Sequence, residues 1–198
     1  MTHYFDRQQS GPANEIKIPV RFAARTYEFI SASGLFSRDH IDFATKTLIA
    51  AADLTNAKTV LDLGCGWGAV AVILALSNPD KEFAAVDMND HAVSITKKNA
   101  RLHRVKINVL QSNIFDRIED SLFDCILTNP PYVAGREVCF KFITESFEHL
   151  NKNGSLQLVA RHNKGGKILS QKMEETFGNM EVLDRSGGFR VYKSIKKE

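Results

Sequence analysis

The segment Asn129-Pro130-Pro131-Tyr132 follows a short apolar run, FDCIL at 123–127. Neither proline has an N–H to donate, so the pair cannot continue a sheet. A plain turn would be better served by Asn-Gly or Asp-Gly. What this corner offers instead is the side-chain amide oxygen of Asn129, the carbonyl of Pro130 and the ring of Tyr132. An exocyclic amine on a base, or a side-chain amide, is a poor nucleophile because its lone pair is delocalised. Two acceptors aimed at its N–H bonds would pyramidalise the nitrogen and free that pair. Pro131 has no N–H that could turn inward and repel the donors. Tyr132 supplies a face on which a planar group can stack. The plain alternative is a rigid structural turn with a buried tyrosine.

A second cluster lies upstream, in LDLGCGWGAV at 61–70. Asp62, Gly64, Gly66 and Gly68 stand where a strand ends and a helix starts. Glycine there permits positive φ and close approach of a ligand to the backbone. The spacing is D-x-G-x-G-x-G. It is not the dinucleotide fingerprint, since Ala69 occupies the third glycine position, nor a P-loop, since no Gly-Lys-Ser/Thr follows. The acid two residues before the first glycine disfavours pyrophosphate and suits a cationic or amino-bearing ligand. Asp87 ends the next strand, where an acid can accept both ribose hydroxyls of an adenosine or simply cap the following helix.

These residues need elements to hold them. Apolar strand-like runs alternate with helical patterns: TVLDLG, then a buried helix in GAVAVILALSN; EFAAVD, then NDHAVSITKKNARLH with Asn89 as cap; KINVLQ; FDCILTN, then EVCFKFITESFEHL with Val138, Phe142, Ile143 and Phe147 near one face; GSLQLVA, then GGKILSQKMEETF. MEVLDRS and FRVYKSI close the chain with only Gly187-Gly188 between them, so they should pair antiparallel. Ahead of this core, IKIPVRF and TYEFIS read as a hairpin. A helix is expected across SRDHIDFATKTLIAAADL, with Ser37 as its cap and Ile41, Ala44 and Leu48 in register. The expectation is an α/β fold, a doubly wound, mostly parallel seven-stranded sheet ending in an antiparallel hairpin. Residues 1–35 form an N-terminal extension of the same unit, with its first ~15 residues a flexible lead-in, and 36–198 the main domain.

Composition is that of an ordinary globular chain: 198 residues, 43% hydrophobic and 25% charged. No apolar stretch approaches the ~20 residues of a membrane span, and the start carries no signal-peptide pattern. Cys65, Cys125 and Cys139 have no disulfide or zinc spacing, which fits reduced thiols in a cytoplasmic protein without a metal. His40, His103 and His162 stand apart, again without metal spacing. The net charge of +3 permits a nucleic-acid partner without demanding one. RHNKGGKILSQK at 161–172 contains basic residues and no acid, so Arg161, Lys164 and Lys167 are candidate contacts to RNA, or else a solvated face.

The glycine loop, the acid after the next strand and the Asn-Pro-Pro-Tyr corner together resemble class I S-adenosylmethionine-dependent methyltransferases that act on amino groups. That resemblance implies S-adenosylmethionine as cofactor. Asp62 and the loop, Cys65 included, would hold its methionine part, Asp87 its ribose, and Met88 would pack on the adenine. Asn113 stands where many relatives carry an Asp to the adenine amine, with Ile114 beside it, and Asn129 would also border the cofactor. Asn129, Pro130, Pro131 and Tyr132 would be catalytic. The segments FISASGLFSRDHIDFATKTLI, NPPYVAGREV and GGFRVYKS are similar to the small-domain methyltransferases of ribosomal RNA guanine N2, above all the compact, stand-alone archaeal type. This implies that Gly34 and Phe36 approach the cofactor, that Thr45 sits near its carboxylate, and that Gly135 lets a loop admit the target base. The target base would have to be exposed or flipped. The expected partner is ribosomal RNA or a ribosomal subunit, met as a monomer. Two other readings stay open: glutamine methylation in a protein, to which NPPYV is equally suited, and a non-catalytic, cofactor-binding RNA or ribosome-assembly factor. The bacterial guanine enzymes carry a second, degenerate domain ahead of the signature that is not found here, and often Phe in place of Tyr132. Trp67 either covers the cofactor edge or packs on the helix.

Overall fold

The computed structural model describes residues 14–198; the expected flexible lead-in lies outside them. The chain begins with the antiparallel hairpin β1 (Glu15–Phe22) and β2 (Arg25–Ala32). Helix α1 (Phe43–Ala51) follows, then β3 (Thr59–Leu63), α2 (Ala69–Ser77), β4 (Glu82–Asp87), α3 (Asp90–Leu102) and β5 (Ile107–Gln111). The second half runs β6 (Phe123–Thr128), α4 (Arg136–Glu148), β7 (Leu150–Arg161), α5 (Gly166–Phe177), β8 (Glu181–Ser186) and β9 (Phe189–Ile195).

The main sheet has seven strands in the order β5-β4-β3-β6-β7-β9-β8. Its first four pairings are parallel; β7–β9 and β8–β9 are antiparallel. The central strands are apolar on both faces because both are covered. Along β3, Val60 joins a core layer with α1, α2 and the hairpin, while Leu61 joins the layer of α4 and α5. Helix α2 is buried from Ala69 through Ala75, so its sequence is apolar all round. Helix α3 is half-exposed and capped by Asn89, whose side chain accepts from the N–H of His91 at 3.0 Å.

Two boundaries differ from the sequence reading. The first helix begins at Phe43, and its cap is Asp42, which accepts from the Thr45 N–H at 3.1 Å. Ser37 lies in a turn at φ 52°, and its hydroxyl donates to the His40 carbonyl. Capping requires an extended backbone, which Asp42 has and Ser37 does not. The strand expected from Gly154 starts at Leu150. Asn153 takes φ 67° and the pairing with β6 shifts register, so the Asn-Gly pair marks a bulge within one strand rather than its beginning.

Besides the packing of Ile18, Val20 and Phe29 and a contact of His103 with the Glu28 carbonyl, one buried amide ties the hairpin to the core. Asn99 on α3 accepts from the Ile30 N–H at 2.8 Å and donates to the carbonyls of Ile30 and Trp67 at 2.8 and 2.7 Å. Phe29 meets Trp67 edge-on at 5.2 Å between ring centroids. Replacing Asn99 by Ala strands the buried Trp67 carbonyl and the two part-buried backbone groups of Ile30, so urea denaturation should show a loss of about 2–4 kcal/mol. A change under about 0.5 kcal/mol would mean that the amide does not hold the hairpin.

Candidate active site

Strands β3 and β6 lie side by side and parallel, with Asp62 opposite Leu127. Their connections to α2 and α4 leave on opposite sides, which opens a crevice at their carboxyl ends. A cavity of about 620 Å³ fills that crevice. Asp62, Gly64, Cys65 and Gly66 form one wall, Asp87 and Met88 the next, and Asn113 and Ile114 the third. Asn129, Pro130, Pro131 and Tyr132 face them, with Phe36 and Thr45 from the segment before and within α1. Gly68, expected in the loop, does not line the cavity. A Cβ there would lie 2.8 Å from Thr96, so this glycine allows α3 to press against the loop. Gly34 also stays outside; it occupies a turn at φ 81°.

The loop uses its own N–H groups. Gly64 and Cys65 both donate to the Val86 carbonyl at 2.9 Å, Gly66 donates to an Asp87 oxygen at 2.9 Å, and Gly68 donates to the Cys65 carbonyl at 2.9 Å. Those donors are not left to cradle a phosphate, as the acid at Asp62 already suggested. A Cβ on Gly66 would meet nothing within 4 Å, so the loop's surface stays open to a ligand. The Cys65 thiol turns toward the Thr96 hydroxyl at 3.6 Å, and burial pushes it well above its ordinary pKa. It is packing, not a nucleophile.

Both acids are buried. Asp62 accepts from the Ala71 N–H at 3.1 Å, yet burial raises its carboxyl to about 7, with the neighbouring charge of Asp87 adding to the rise. Burial also raises Asp87, although it accepts from Gly66 and Asn89 N–H groups. The Met88 N–H is a third donor to this carboxylate, which leaves Asp87 at least one lone pair for a ligand. A cation or a pair of hydroxyls would relieve both acids. Asn113 donates to Asp116 at 3.1 Å, which leaves its own oxygen as an acceptor.

On the opposite wall, Pro131 has φ −74° and ψ 79°, the centre of an inverse γ-turn. The Tyr132 N–H donates to the Pro130 carbonyl at 2.8 Å, occupying one of its lone pairs and leaving the other. Asn129 donates to the Thr45 hydroxyl at 3.1 Å. Gly135 takes φ 103° at the start of α4 with open space beside it. The cavity mouth is aromatic: Phe36, Phe43 and Tyr132 are half-exposed, and Phe189 joins them, 5.8 Å from Phe43 between ring centroids. Tyr132 lies over Gly165, where a Cβ would be 1.9 Å from its ring. Trp67 lines the cavity and packs edge-on against Phe29 of β2 rather than on a helix.

The sequence reading missed Asp42, Phe43, Phe142 and Phe189 as cavity residues. Asp42 carried a signal, an Asp three residues before Thr45 at the start of an apolar helical pattern. Phe142 fits the apolar periodicity of a core helix and gave none; Phe43 lies off the stripe of Ile41, Ala44 and Leu48, and its spacing pointed to no ligand. Arg161, Lys164 and Lys167 do not line the cavity. They are exposed beside it, and Arg161 lies over the Phe189 ring at 5.9 Å.

This fold and this crevice define a methyltransferase that uses S-adenosylmethionine. The family model for the methyltransferase small domain matches residues 26–193, and the chain belongs to that family. It is 30% identical over 197 residues to the uncharacterised protein YbxB of Bacillus subtilis, covering 98% of each chain. It is 31% identical to the ribosomal RNA small subunit methyltransferase C of Photorhabdus laumondii, over 83% of this chain and 48% of that protein. The chain thus spans about half the length of the methyltransferases C it matches. The 16S rRNA N2 methyltransferase RsmC of T. thermophilus, solved in complex with AdoMet and guanosine, superposes with a TM-score of 0.80 at 25% identity, over 94% of this chain and 52% of that one.

The raised carboxyl of Asp62 fixes a pH dependence. Below about pH 4 it is neutral in folded and unfolded chains alike. Between there and about 7 only the unfolded chain ionises it, so stability is lost as pH rises through that window. Relative to Asp62→Asn, the cofactor-free wild type should lose up to about 4 kcal/mol between pH 4 and pH 8, read from denaturation midpoints. Parallel curves for the two proteins would contradict the buried-acid assignment.

Proposed function

We propose that the protein transfers a methyl group to an exocyclic amino group, and that this group is guanine N2 in ribosomal RNA. The observation that carries the proposal is the pair of acceptors, Asn129 Oδ1 and the second lone pair of Pro130, at the cavity wall opposite the glycine loop. The residues present fit S-adenosylmethionine: two desolvated acids, an open glycine surface and a third wall that pairs apolar Ile114 with the free acceptor of Asn113. When bound, the cofactor supplies an electrophilic methyl on a sulfonium.

The chain's own residues do the rest. Asp62 takes the amino group of the cofactor, Asp87 its ribose hydroxyls, and the oxygen of Asn113 the adenine amine, with Met88 and Ile114 against the ring; Thr45 borders the site but has given both its N–H and its hydroxyl proton to Asp42, so it has no donor left for the carboxylate. Asn129 and Pro130 accept the two N–H bonds of the target amine and so hold it in line, which is catalysis by positioning and electrostatics. No strong base is needed, because the nitrogen becomes acidic once methylated. Tyr132, with Phe36, Phe43 and Phe189 at the mouth, can stack a flipped base.

The surface beside the mouth favours RNA over a protein glutamine. Arg161, Lys164 and Lys167 are exposed next to it. Partial burial and the charges of Arg190, Lys167 and Arg185 hold His162 below its usual range, a sign that the positive field extends along the β8–β9 hairpin. The similarity to proteins named as ribosomal RNA methyltransferases supports the same reading, and a ribosomal substrate would place the enzyme in the cytoplasm.

The test is transfer of labelled methyl to total RNA and total protein, followed by nucleoside and amino-acid analysis. Label is expected in N2-methylguanosine; label in glutamine would overturn the RNA reading, and no transfer by a cofactor-loaded protein would favour a binding factor. Asn129→Ala should lower kcat about 100-fold or more while keeping cofactor affinity. Neutralising Arg161, Lys164 and Lys167 together should weaken RNA binding and reduce its salt slope by about 3. An unchanged slope would remove that surface from the proposal.

A further inference from the structure

Asn129 can activate an amine only if its oxygen, not its nitrogen, faces the substrate. A planar amide is nearly symmetrical in shape, so its orientation must be set by what lies behind it. Behind Asn129 lie two side chains of the first turn of α1. Its Nδ2 is 3.1 Å from Thr45 Oγ1 and 3.5 Å from Asp42 Oδ1. Asp42 Oδ1 also accepts the Thr45 N–H at 3.1 Å, and Asp42 Oδ2 accepts the Thr45 hydroxyl proton.

We infer that Asp42 is a positioning residue that, through Thr45, fixes the Asn129 amide with its oxygen toward the substrate. As a carboxylate, Asp42 can only accept. It takes the single proton of the Thr45 hydroxyl, so Thr45 can offer only a lone pair to its other neighbour. Both atoms that face Asn129 from α1 are therefore acceptors, and only an NH₂ group can sit against them. Oδ1 is left on the other side, and among the described residues no donor reaches it. A flipped amide would set oxygen against oxygen behind and present N–H groups to the N–H groups of the substrate. The same carboxylate caps α1, so one side chain both starts the helix and aims the acceptor.

This inference rests on the amino-group reading above, and Asp42→Asn separates the two. Asn caps a helix as well as Asp does, so a purely structural role leaves that variant silent. Its NH₂, however, can donate to Thr45 or to Asn129 and release the amide to flip. With a methyl-accepting RNA, kcat should fall about tenfold or more, while KM for RNA and the affinity for S-adenosylhomocysteine stay within about threefold. Independently of turnover, the Asn129 side-chain NH₂ resonances should shift and their protons exchange faster in the variant. Wild-type turnover together with unchanged resonances would overturn the inference. Should Asp42→Asn fail to fold, Asp42→Ser, also a good cap, carries the same comparison. If wild-type protein methylates no amino group, the functional reading falls, and the resonances alone still decide the positioning role.

Discussion

Parallel pairing of β3 with β6 is the constraint on which the site depends. Val60, Leu61 and Asp62 run alongside Cys125, Ile126 and Leu127, and the buried Thr128 hydroxyl donates to the Leu63 carbonyl at 2.9 Å. Because the strands are parallel, both end at the same edge. Because each is buried on both faces, each must hand over to a helix, and the two helices depart in opposite directions. The glycine loop and the Asn-Pro-Pro-Tyr corner are therefore brought face to face from residues more than sixty positions apart, at the one edge where neither helix closes the gap.

That edge concentrates features a stable core would avoid. Two carboxylic acids are buried within one layer of the loop, and each is raised above its ordinary range by desolvation. Ile114 takes φ 54°, unusual for a β-branched residue. Phe36 and Phe43 are half-exposed, and Val133 is almost fully so. Away from the crevice, buried Asn99 and Gln157 both hold backbone groups across long separations in sequence, although Leu122 is as exposed as Phe36 and the buried Ser31 and Thr176 hydroxyls lack a partner among the described residues. Two desolvated acids and an exposed aromatic rim meeting at one crevice mark a place shaped for a ligand rather than for stability.

What could be read in the sequence was what local chemistry dictates. The alternation of apolar strands and helices, the Gly187-Gly188 turn, the Asn89 cap and both loops depend on neighbours in the chain, and the structure has them where the residues place them. The misreadings have a common origin. Ser37 and Asp42 are both acceptable caps by type, and only the backbone distinguishes them. Phe43 lies off the apolar stripe of its helix, and only the fold shows that the first turn of α1 opens onto the cavity mouth, where it meets Phe189 from the far end of the chain. The seating of Tyr132 over Gly165 likewise joins segments that only the sheet order brings together. Sequence spacing reveals which residues could act; the long-range pairing decides which of them meet.

The most direct measurement is a crystal structure with S-adenosylhomocysteine and guanosine bound together. The exocyclic amine should lie within hydrogen-bonding distance of both Asn129 Oδ1 and the Pro130 carbonyl, with the cofactor sulfur in line behind it and its amino group at Asp62. A base whose amine points away from those two oxygens, or an Asn129 that turns its nitrogen to the ligand, would contradict the mechanism.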